Sequence, residues 1–147
     1  MGYATSDELK LRLGLSTFEE IYPTSVSSAY AQSAVEADLA AAIAEIDGSI
    51  SVRYSLPVTG ESSLALLKDW TLTLAEERAY ARCAGSEYTE KVKSRVDQVR
   101  KMLELIRTGQ YRLPDASEIG HGTGGGPAIA LSQSDKPIFT RERMRGF

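Results

Sequence analysis

Residues 121–126 read HGTGGG and set the single histidine, His121, beside a run of glycines. Two chemistries use such a stretch. A glycine loop can cradle phosphate through its backbone N–H groups, and a His-Gly loop can line an oxyanion hole. The phosphate loop also needs a lysine and a hydroxyl residue opening a helix, and here Pro127 follows the glycines. The oxyanion loop needs a G-x-S-x-G elbow on a parallel sheet, and no such motif occurs. Glycine's backbone freedom explains the stretch as a linker without chemistry, which leaves His121 in solvent. No serine and carboxylate are singled out as its partners.

Cys83 is the one cysteine, so neither an intramolecular disulfide nor a cysteine-cluster metal site can form, and it is expected on a helix as a small apolar residue. The carboxylates Asp7, Glu8, Glu19, Glu20, Glu36, Asp38, Glu45 and Asp47 follow neither EF-hand nor Glu-x-x-His spacing, and most of them read as solvated helix faces. The expectation is a protein without metal or cofactor, and not an enzyme.

The remaining candidate chemistry is recognition. The stretch PIFTRERMRGF sets apolar side chains between arginines, and such side chains are poor residues to leave in water. Its candidate interaction residues are Pro137, Ile138, Phe139, Arg141, Arg143, Met144, Arg145 and Phe147. Residues 137–140 can add as an extended strand to an exposed edge. Alternatively, Phe139 and Phe147 act as anchors while the arginines pair with acids on a partner's rim. A second class of reading is a nucleic-acid-binding accessory protein that uses Lys136 and the three arginines on phosphate, although no recognition helix or stacking module accompanies them.

Length and charge narrow the field. A chain of 147 residues fits one domain with an ordinary core and an appended arm. The net charge of −3, from 17 basic and 20 acidic side chains, argues against a protein that grips nucleic acid with its whole surface. No basic-then-apolar leader opens the sequence and no apolar stretch reaches membrane-spanning length, so a protein cytoplasmic at synthesis is expected. MGYATS fits the loose spacing for N-myristoylation at Gly2, a short motif of low specificity.

The elements that must position any arm read as helices. Thr5 and Glu8 form a capping-box pattern and Gly14 a stop, which predicts a short first helix. STFEEIYP predicts a brief second turn capped by Ser16 or Thr17. Val35, Leu39, Ile43, Ile46, Ile50 and Tyr54 recur at helical steps over 34–54, with Gly48 marking a tight crossing or a bend. Trp70, Leu72 and Leu74 alternate with Thr71 and Thr73 as in a strand, but the length of the run and its helix formers favour a helix ending near Gly85. Val92, Val96, Val99, Leu103 and Ile106 make the clearest stripe, ending at Gly109, with Asp97–Lys101 and Arg100–Glu104 spaced to pair. From Gln110 on, the composition is that of turns and linker, with Ile129 and Leu131 allowing a short strand. The fold class is mainly α: a small bundle of three to four main helices, residues 1–109, followed by a linker and docking arm, 110–147.

Taken in order, GYATSDELKLRLG, AEIDGSISVRYSLPV, RTGQYRLP and PIFTRERMRGF resemble the small virion protein family of Mu-like phages and prophages. In its helical body that family resembles the head-tail connector, or head-completion, proteins of tailed phages. The resemblance implies a structural protein of the virion's head-tail junction that forms a homo-oligomeric ring. Its implied partners are further copies of itself, the portal, and adjacent tail or connector proteins. Packaged DNA would pass without specific binding, and no membrane is involved. The long STFEEIYPTSVSSAYAQ passage and the glycine-containing arm depart from the family pattern, so contact positions do not carry over.

Overall fold

The computed structural model describes residues 2–83 and 90–119. These form five helices: α1 (Ser6–Leu13), α2 (Leu15–Ile21), α3 (Ser28–Ile50), α4 (Glu61–Arg82) and α5 (Glu90–Thr108). No strand occurs among the described residues, only an isolated antiparallel bridge between Tyr54 and Glu118. The expected helical bundle is present.

Helix α4 is its axis, because α1, α2, α3 and α5 all pack against it. Every residue from Trp70 to Glu76 is therefore buried. A helix covered on all sides has no polar face, which is why this segment alternated like a strand. The hydroxyls of Thr71 and Thr73 are satisfied within the helix, donating to the carbonyls of Leu67 at 2.7 Å and Asp69 at 2.9 Å. By contrast α5 lies on the outside, and Val92, Val96, Val99, Leu103 and Ile106 are all buried, as the stripe predicts. Burying each such side chain contributes about 1.5–3 kcal/mol.

The α1 cap forms as expected: Glu8 N–H donates to Thr5 Oγ1 and Thr5 N–H donates to Glu8 Oε2. Gly14, at φ +82°, closes α1 and opens α2 in one residue, donating to the Lys10 carbonyl while its own carbonyl accepts from Phe18. That leaves Ser16 and Thr17 inside α2 rather than at its cap. Helix α3 starts two turns before its apolar stripe, capped by Ser27, whose Oγ accepts from Tyr30 N–H.

Four expectations are corrected. Asp97 and Lys101, both exposed, do not form the salt bridge that their spacing allows. Gly48 is exposed with open space around it and marks no crossing; α3 runs through it to Ile50. Tyr54 is buried but lies beyond α3, carried inward by the turn after Ile50. Arg100 reaches away from Glu104 to Glu45 on α3 (3.0 Å) and Glu77 on α4 (2.7 Å), because two acids on neighbouring helices hold the guanidinium better than one on its own. Glu104 pairs with Arg107 instead. The Gly85 stop lies outside the described residues.

Candidate protein-interaction site

Pro137, Ile138, Phe139, Arg141, Arg143, Met144, Arg145 and Phe147 all lie outside the described residues, as do His121 and the glycine run. What the structure does place is the root of the arm, and it is docked on the body. Gly109, at φ +82°, ends α5, and the N–H groups of Gln110 and Tyr111 both return to the Leu105 carbonyl. A side chain at Gly109 would collide with the Arg53 guanidinium, so this glycine supplies both a left-handed turn and room for a neighbour. Leu113 is buried, and its N–H donates to the Tyr54 hydroxyl at 3.0 Å.

Asp115 then caps α4. Its carboxylate accepts from the Ser63 hydroxyl at 2.6 Å and from the N–H groups of Ser62 and Ser63 at 2.9 Å. These donors, the Ser63 hydroxyl foremost, hold its pKa below the ordinary aspartate value. Gly60 is glycine because the Asp115 backbone and side chain pass where its Cβ would stand. Beyond it, Ser55 N–H donates to the Ser117 carbonyl and Ile119 N–H to the Arg53 carbonyl, 3.2 and 2.7 Å, so residues 117–119 run antiparallel to 53–55. The turn-like composition after Gln110 thus begins with ten residues fastened to the body.

Most buried or half-buried acids of the bundle are spent on tying helices together. Glu76 on α4, 5% exposed, is bonded by Arg12 of α1 at 3.3 Å and Arg95 of α5 at 3.0 Å. Asp38 on α3 takes two bonds from Arg82 of α4, 2.5 and 2.9 Å, and a third from the Tyr22 hydroxyl at 2.6 Å. Burial, with Asp38 alongside, pushes the Tyr22 hydroxyl pKa well above its ordinary value. Glu45 is shared by Arg78 and Arg100. Each cluster joins two or three helices, so their chemistry is that of a clamp. Among the described residues no group of three or more His, Cys, Asp or Glu side chains is arranged to hold a metal ion.

Two apolar features of the described surface bear on recognition. Leu11 and Leu15 stand 83% and 72% exposed at the α1–α2 elbow. A groove of about 550 Å³ runs between the N-terminal segment and the α3–α4 loop, walled by Tyr3, Pro57, Val58, Leu64 and Ala65. Sequence reasoning missed both. The elbow left a signal: LKLRLGL has a leucine at every second position, and a helix that buries Leu9 and Leu13 must turn Leu11 outward, while Leu15 follows the Gly14 break. The groove left none, since its walls come from three separate segments.

A family model described as Bacteriophage Mu, Gp36 matches residues 3–127, a span that holds all five helices and stops short of Pro137. No curated protein matches the chain.

Proposed function

We propose, from the premise that the chain belongs to the bacteriophage Mu Gp36 family, that this Mu-like phage protein is a structural component of the virion, a head-tail connector or head-completion subunit. In this reading it works as one wedge of a homo-oligomeric ring between portal and tail and catalyses nothing. The observation that carries the reading is the family match across the entire helical body. The clamped helices support it, since a ring subunit must transmit load without repacking, and so do Leu11 and Leu15, which stand exposed close together at one elbow. No helix among the described residues is long and apolar enough to cross a membrane.

The arm is the coupling device. Residues 120–147 carry four basic and two acidic side chains; with −3 on the whole chain, residues 1–119 hold −5. A basic, apolar-studded segment on an acidic body is suited to pairing with acidic protein surfaces, whether a neighbouring subunit, the portal or the next layer. An acidic body also lets packaged DNA pass, because carboxylates repel phosphates. Truncation after Lys136 should leave thermal unfolding of the body nearly unchanged and weaken assembly, and mass spectrometry of purified virions should find the protein. Its absence from virions, or sub-micromolar duplex binding at physiological salt, sinks the connector reading and favours a DNA-binding accessory protein.

A further inference from the structure

We propose that the groove walled by Tyr3, Pro57, Val58, Leu64 and Ala65 is the seat for residues 137–147 of a neighbouring copy of this chain, an inference that rests on the ring reading above. The groove is apolar and roomy enough, at about 550 Å³, for two large side chains such as Ile138 and Phe139. Its one cation, Lys68, is neutralised by Glu8. The charges around it are acidic. Asp47 accepts from the Tyr3 hydroxyl at 2.6 Å, Glu61, exposed, opens α4 one turn before Leu64, and Asp115 bonds the N–H groups of the same helix start. Three arginines among apolar side chains therefore meet a matching surface, apolar at its floor and negative at its edge.

The direction of the arm root selects the copy. Antiparallel pairing carries residues 117–119 from Ser55 toward Arg53, away from Pro57 and Val58. The described chain therefore ends at Ile119 heading off its own groove. Seventeen residues separate Ile119 from Pro137, and a coil of that length spans roughly 20–25 Å, the scale of a neighbouring subunit. An arm that leaves one copy and seats in the next is a head-to-tail contact, the kind that closes a ring.

The test uses full-length chains with Cys83→Ala. Variants A65C and F139C, prepared separately and mixed under oxidising conditions, should give a disulfide-linked heterodimer, and an A65C/F139C double variant should give a ladder of covalent multimers. Ala65 is exposed, so A65W fills the groove with little effect on unfolding and should weaken association at least tenfold in sedimentation. A double variant that closes only on itself, or F139C that links to L11C in preference to A65C, overturns the proposal. No heterodimer at any concentration, with A65W assembling normally, overturns it too. If truncation after Lys136 still weakens assembly in that case, the docking arm survives and only its seat is wrong; if truncation is also silent, the arm reading falls with it.

Discussion

Replacing Tyr54 with phenylalanine removes a single oxygen from the place where the arm root is fastened. Tyr54 is 1% exposed and Leu113 4%, and the Leu113 N–H has the Tyr54 hydroxyl as its partner at 3.0 Å. Without that acceptor the amide is buried and unpaired. The cost is then the desolvation of an orphaned donor, about 1–3 kcal/mol, rather than the smaller net worth of an ordinary exchanged hydrogen bond. Two readouts check this: chemical denaturation of the Y54F chain, and hydrogen exchange at the Leu113 amide, which should accelerate beyond what global destabilisation explains. Function follows from geometry. If the root peels back from Ile119 to Gly109, the tether grows from 17 to about 27 residues, and effective concentration falling as the −3/2 power of length weakens arm docking roughly twofold. A Y54F chain as stable as its parent, with Leu113 equally protected, would refute the claim that this hydroxyl anchors the root.

Other consequences can be checked separately. Glu76→Ala breaks the α1–α4–α5 clamp and leaves Arg12 and Arg95 without their shared carboxylate; a loss of about 2–3 kcal/mol is expected by denaturation, at or below the low end of the roughly 3–5 kcal/mol for a broken buried pair, because Arg95 reaches solvent and Arg12 keeps Asp69 and Thr73. The double variant L11S/L15S alters only exposed positions, so its unfolding should shift by no more than about 0.5 kcal/mol, while ring assembly, followed by sedimentation or electron microscopy, should be impaired. Asp115, bonded by Ser63 and Ser62, and Glu8, bonded by Lys68 and the Thr5 N–H, both titrate below their ordinary values of 3.8 and 4.5 in the folded chain. Their contribution is complete above those values and vanishes as pH falls through the lower folded ones, so the unfolding temperature should drop below about pH 4.5, and Asp115→Asn should flatten that drop when unfolding is followed from pH 7 to 3.

What the sequence makes legible depends on how many neighbours an element has. Helix α5 packs on one side, so its five valine, leucine and isoleucine positions announce both the helix and the face. The middle of α4, Trp70 to Glu76, is buried all round, its period is erased there, and only length and helix formers reveal it. The arm root is harder still. Pro114, Asp115 and Ser117 have the composition of a linker, and no local rule tells that Asp115 caps a helix that starts more than fifty residues earlier or that Tyr54 waits for the Leu113 amide. The same distinction governs the site. That a basic, apolar segment follows an acidic body is written in residue types and can be read without coordinates. Which acids it would meet in the proposed docking is not, because the acids near Tyr3 and Leu64 are Asp47, Glu61 and Asp115, residues far apart in sequence. A cap that also fixes the exit of the arm ties these two facts into one mechanism: the contact that holds Asp115 on α4 sets both the heading of the tether and the charge beside the groove, so removing it should disturb assembly more than its effect on stability alone would predict.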